Sequence, residues 1–116
     1  MKKYIISVMF LLISYVLLAQ EEITMVVLKY DNNTIEQVGY LDQNGKKDSV
    51  WTQYDESGKV VGEGSYSHGV KDGYWYCYND NGKKIFEVLY INGEKRKGKQ
   101  WDDEGHLIDK RKWWKK

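Results

Sequence analysis

Glycine and aromatic residues recur in this chain every 23 or 24 positions, and that period constrains the fold more than any other feature. Gly45, Gly69 and Gly93 are spaced by 24 and 24, and Gly58, Gly82 and Gly105 by 24 and 23. Tyr30, Tyr54, Tyr78 and Trp101 follow the same rhythm, each trailed by an acid or amide: Asp31, Asp55, Asn79 and Asp102. Trp51 and Trp75 are also 24 apart. A fixed period of this size marks an array of supersecondary units, each unable to bury its apolar face alone. Gly45 to Gly58 aligns with Gly69 to Gly82 without a gap, the copy from Gly93 to Gly105 is one residue shorter, and residues 27–34 read as the tail of a degenerate first copy with Thr34 in the glycine slot.

Each unit holds two strand candidates separated by turn residues. Val50 to Asp55 is followed by Glu56-Ser57-Gly58-Lys59, and Val60 to Ser67 by His68-Gly69. Tyr74 to Asn79 leads into Asp80-Asn81-Gly82-Lys83, and Ile85 to Ile91 into Asn92-Gly93. Asn-Gly before a new strand predicts a hairpin, because both residues tolerate positive φ. The expected fold is all-β: an antiparallel meander of β-hairpin repeats of about 24 residues, forming one elongated sheet. Equivalent residues in successive copies then lie two strands apart, roughly 10 Å, and the Trp and Tyr positions form ladders across the sheet. The composition agrees. Tyr (10) and Trp (5) supply most of a 15% aromatic share, Gly is frequent (11) and Pro is absent, which is neither a disordered nor a helical-bundle mixture. The single cysteine, Cys77, excludes an intramolecular disulfide.

The first twenty residues are of another kind. Met1-Lys2-Lys3 is positive, Tyr4 to Leu18 is almost unbroken apolar sequence, and Leu18-Ala19-Gln20 gives way to Glu21-Glu22. This predicts a secretory signal helix, cleaved near Ala19 or Gln20, and a secreted or periplasmic protein. The −3 residue for cleavage after Ala19 is Leu17 rather than a small one, so an uncleaved membrane anchor stands as the alternative. The organisation expected is a signal peptide over 1–20, an N-terminal strand or degenerate repeat over 21–36, the β-repeat array over 37–108 and a basic aromatic tail over 109–116.

Tyr66-Ser67-His68-Gly69 leads through a charged linker into Gly73-Tyr74-Trp75-Tyr76-Cys77-Tyr78, then the Gly82-Lys83 turn, and Tyr90-Ile91-Asn92-Gly93 begins the pattern again. Across residues 37–108 this resembles the variant MORN-repeat family, including its antitoxin-like bacterial members. The resemblance implies an elongated all-β sheet and a role in recognition rather than chemistry. Two positions depart from it: Ser49 replaces the first glycine of Gly-x-Trp, and Gly98 or Lys99 stands where a third Trp is expected.

No catalytic, cofactor or metal site is expected. His68 precedes Gly69 in a slot that holds Asn44 and Asn92 elsewhere, and His106 occupies the slot of Lys59 and Lys83; both read as turn residues, without the partner and cleft that acid–base work needs. Cys77 sits where Gln53 and Gln100 occur and has no activating base in its sequence neighbourhood; as a half-buried strand thiol or an intermolecular disulfide, it carries no chemistry of its own. Asn79-Asp80-Asn81-Gly82 superficially suggests a calcium loop, but Cys77 and Val88 would fall at the two anchoring acids.

Charge is divided along the chain. Residues 21–82 hold 5 Lys/Arg and 11 Asp/Glu, and residues 83–116 hold 11 and 6. The tail Lys110-Arg111-Lys112-Trp113-Trp114-Lys115-Lys116 either packs as a last strand with protective lysines or docks on an anionic surface. Nucleic acid is not expected as a partner of an exported protein. The expected function is an exported, non-catalytic module binding an unknown protein or envelope component, with Trp51, Tyr54, Trp75, Tyr78, Trp101, Trp113 and Trp114 as contact residues. An antitoxin-like immunity protein is the alternative, with Asp48, Asp55, Glu56, Glu63 and Asp72 meeting a basic effector. Peripheral membrane association and a homo-oligomer that covers an open edge or face are also consistent with the pattern.

Overall fold

The computed structural model describes residues 22–112. The expected signal helix over 1–20, its cleavage point, and Trp113 and Trp114 lie outside the described residues. Eight strands follow one another: β1 (Thr24–Lys29), β2 (Ile35–Leu41), β3 (Lys47–Tyr54), β4 (Val60–Ser67), β5 (Val70–Tyr78), β6 (Lys84–Ile91), β7 (Glu94–Trp101) and β8 (Leu107–Lys112). They form one sheet in chain order, every neighbour antiparallel. The expected meander is what is observed. Two strands begin earlier than expected, at Lys47 rather than Val50 and at Val70 rather than Tyr74. The charged stretches Lys47-Asp48-Ser49 and Lys71-Asp72-Gly73 read as linkers, yet the first pairs with β2 and β4 and the second with β4 and β6, each through a bulge.

Those bulges carry the unusual backbone. In β3 and β5 the register slips by two residues, opposite Gly39 and Ser65. Ser49 lies at φ 63 and its counterpart Gly73 at φ 107, so the departure from glycine in the first unit keeps both the positive φ and the bulge. In β7 the slip is one residue, which locates the residue missing from the third copy. A second correction concerns the first copy. Asn33, not Thr34, adopts positive φ (71), and Lys29 pairs with Ile35 as Tyr54 does with Val60. Structural equivalence there runs one residue out of step with the 24-residue period, and Tyr30 occupies the turn slot of Asp55.

Two turn chemistries alternate. His68-Gly69 and Asn92-Gly93 both have positive φ (48 and 88, 50 and 84), the pairing that two-residue hairpins with right-handed twist require. The other turns are Asx-stapled: Oδ1 of Asp55 accepts from the amides of Ser57 and Lys59, Asn79 from Asn81 and Lys83, and Asp102 from Glu104 and His106. Asp42 does the same for Asn44 and Lys46.

Among the described residues the sheet has no second layer, and it buries little. Among the described residues Trp51, 6% exposed, is the buried hydrophobic and Asp42 the buried polar one. Strand alternation divides the side chains between two faces.

Candidate functional site

One face is built around a row that crosses the sheet at a single level: Val26, Gly39, Trp51, Gly64, Trp75, Val88, Gly98 and Arg111. Glycine and tryptophan alternate because each indole lies flat over the preceding strand. A Cβ on Gly39 would stand 2.0 Å from Cδ2 of Trp51, and one on Gly64 2.1 Å from Cδ2 of Trp75. The indole nitrogens then reach the backbone beside those glycines: Trp51 Nε1 donates to the Tyr40 carbonyl at 3.0 Å and Trp75 Nε1 to the Ser65 carbonyl at 3.1 Å. Both carbonyls lie where the bulges disturb the ladder, so the indoles supply hydrogen bonds there.

Tyrosines fill the gaps between the indoles. Tyr66 meets Trp51 at 6.5 Å and Trp75 at 5.0 Å between ring centroids, and Tyr90 meets Trp75 at 6.0 Å, all edge-on. Lys47 Nζ sits 4.6 Å from the Trp51 ring and Lys71 Nζ 4.6 Å from the Trp75 ring, each also over the neighbouring tyrosine. Such stacks stabilise the rings and leave cations at the rim of an aromatic surface. Beside them the row Gln37, Gln53, Gly62 and Cys77 forms a groove of about 440 Å3 whose floor is Gly62 and whose walls include Trp51 and Trp75. Cys77 is exposed at its edge, and partial burial pushes its thiol pKa up, away from a reactive thiolate.

The five described residues expected to form one contact surface do not share a face. Trp51 and Trp75 belong to the groove face, and Trp51 is buried, serving as core. Tyr54, Tyr78 and Trp101 alternate onto the opposite face. The carbonyl of Tyr54 accepts from the Tyr30 hydroxyl at 2.6 Å. The Tyr78 hydroxyl donates to Glu63 at 2.6 Å, and burial, helped by that carboxylate, pushes its pKa up to about 12. Trp113 and Trp114 lie outside the described residues. Tyr66, Tyr90, Lys47 and Lys71 belong to the groove face and were not among the contact residues expected from the sequence, although each pair keeps the 24-residue spacing.

The opposite face changes character along the array. Tyr74 and Tyr76 stack at 6.0 Å with 6° between ring planes, and Lys84 lies 4.0 Å over Tyr76. Beyond them Lys99 is paired directly with Lys110, and the backbone register sets Lys97 against Lys112. Opposed like charges destabilise a sheet. Of the acids Asp48, Asp55, Glu56, Glu63 and Asp72, four are engaged internally: Asp55 in its turn, Glu63 with Tyr78, Asp48 with the Ser49 amide at 2.8 Å and Asp72 with the Asn92 amide at 3.3 Å.

Asp42, Asp48 and His68 bring two carboxylate oxygens and Nδ1 within 4.8 Å of one another. Asp42 is committed already, with Oδ1 on two turn amides and Oδ2 2.7 Å from His68 Nδ1. The His68 hydrogen bond, with the Lys46 amide, holds its carboxyl below the usual range. This cluster ties the turn after β4 to the turn after β2, and His68 at φ 48 is the turn residue the sequence predicts. The chain matches no protein-family model and no curated protein.

Proposed function

We propose that this chain is an exported, non-catalytic interaction module of the variant MORN-repeat type, and that it binds a protein or envelope component through the groove face. The observation that carries this reading is the aromatic trough: Trp51 and Trp75 held by hydrogen bonds to the backbone, Tyr66 and Tyr90 packed edge-on against them, rimmed by Lys47 and Lys71, beside the groove at Gly62. Tryptophan and tyrosine are enriched among the side chains that anchor protein interfaces. The signal-like segment 1–20 supports export, and the Tyr-x-x-Gly and Gly-x-Trp pattern supports the family. A photo-crosslinker attached to Cys77 tests the reading. On the protein added to its native envelope fraction, it is expected to capture one discrete species by mass spectrometry, and Gln53→Arg, which crowds the trough, is expected to abolish the adduct. Capture that ignores Gln53→Arg defeats the proposal.

The opposed Lys99–Lys110 pair favours a second reading, in which the basic end meets an anionic surface or an acidic partner, because neutralisation by a ligand relieves the repulsion. Binding that survives Lys99→Gln with Lys110→Gln, or that ignores salt, contradicts it.

A further inference from the structure

An open meander has two edges, and here they differ in kind. β8 carries Asp109, Lys110, Arg111 and Lys112, the charges that natural sheets use to keep an edge unpaired. β1 carries no charge from Ile23 to Leu28. Its side chains are exposed on both faces, with Met25 at 60% and Val27 at 44% on one and Leu28 at 43% on the other. An uncharged, apolar strand whose second backbone side is unpaired among the described residues is a template for another strand.

The pattern of β1 selects its occupant. Glu22 precedes the apolar run and Lys29 ends it, so an antiparallel copy of the same strand brings the acid of each chain towards the base of the other, whereas a parallel copy sets like against like. A two-fold axis normal to the sheet keeps each face on its own side. Centred on Val26, it places Met25 opposite Val27 of the second chain and apolar residues along both faces. We propose that β1 pairs with β1 of a second copy of this chain, joining the two sheets into one continuous sheet with the charged β8 strands at both outer ends. The association is isologous and closes at two copies. It is independent of what occupies the aromatic trough.

Molar mass by light scattering, on the full chain as the cell retains it, is expected to be that of a dimer. Met25→Lys with Val27→Lys sets like charges directly opposite across the two-fold axis. At positions already exposed, this variant is expected to give monomers with an unchanged circular dichroism spectrum. In a Cys77→Ser background, Val26→Cys is expected to form an intermolecular disulfide near completion under mild oxidation, since paired strands hold Cα atoms within bridging range; Arg111→Cys in β8 is not. A monomer at tens of micromolar overturns the proposal. So does a dimer that persists in the doubly charged variant, cross-linking through Arg111→Cys instead of Val26→Cys, or a chain that assembles only with a different protein.

Discussion

The units through β5 and the last three strands meet the same packing problem with different residues. Between β4 and β5 a glycine faces a tryptophan, Gly64 and Trp75, and the indole covers the glycine while donating to the Ser65 carbonyl. Between β6 and β7 the sizes exchange strands: the residue that faces Gly98 across the pair is Val88 rather than a tryptophan, and the bulge is shorter by one residue. Lysines then oppose each other on the far side of the sheet. The backbone register continues through both regions. Strand pairing in this sheet is therefore maintained by turns and by complementary size across the pair, while the tryptophans add rigidity and a surface locally.

The sharpest way to break the contrast is Trp51→Ala. Removing the one buried hydrophobic side chain among the described residues is expected to cost about 3–5 kcal/mol, measured by denaturant unfolding. The exchange Gly64→Val with Trp75→Gly copies the arrangement of Val88 and Gly98, and is expected to be less damaging than Trp75→Ala if size complementarity is what matters. Gly64→Ala ranks next. Its Cβ would overlap the Trp75 ring, displacing an indole that also holds a hydrogen bond, at an expected cost of about 1–3 kcal/mol. Gly62→Ala, whose nearest contact is the Tyr76 carbonyl oxygen at 3.2 Å, should cost clearly less, and equal losses would contradict the covered-glycine account.

Ser49→Gly is expected to stabilise by about 1 kcal/mol, since Ser49 holds a left-handed conformation that its counterpart Gly73 adopts without a side-chain penalty. Lys110→Glu, which turns a repulsive cross-strand pair into an attractive one, is expected to raise stability by up to about 1 kcal/mol, with the gain shrinking at high salt. The smallest effect concerns the turns. The Asp42, Asp55 and Asp102 carboxyls are held below their ordinary value, chiefly by the His68 hydrogen bond at Asp42, by the Ser57 hydroxyl at Asp55 and by the His106 amide at Asp102. Groups with depressed folded pKa values stabilise the fold fully above about pH 4 and lose that contribution as pH falls through the folded values. Amide exchange in these turns should accelerate below that pH, while the Asn79 turn, which has no proton to take up at its staple, should lag behind.

Much of this architecture could be read from residue spacing. The Asn-Gly and His-Gly pairs, the Asx residues and the 24-residue period together predict the meander, because turn chemistry and strand alternation are local and repeat with the chain. The positive φ of His68 was legible from Asn92 in the same slot. The one-residue slip at Asn33 was not, because Tyr30 imitates the period while its backbone occupies the slot of Asp55. The bulges at Ser49 and Gly73 were hidden by their charges, which read as linker. Lys47 and Lys71 belong to those stretches, and only the sheet places them over the rings of Trp51 and Trp75.

By itself, the sequence determined that the chain is all-β, where it turns, and that it is built of repeated hairpins, since these depend on residues close together along the chain. Only the tertiary structure decided that Trp51 and Trp75 share a face while Tyr54, Tyr78 and Trp101 take the other, that Gly39 and Gly64 exist to admit an indole, and that the two edges differ. The physical reason is alternation and register. A single residue of slip at a bulge changes which side chains meet, and the size of that slip is set by contacts between strands rather than within them.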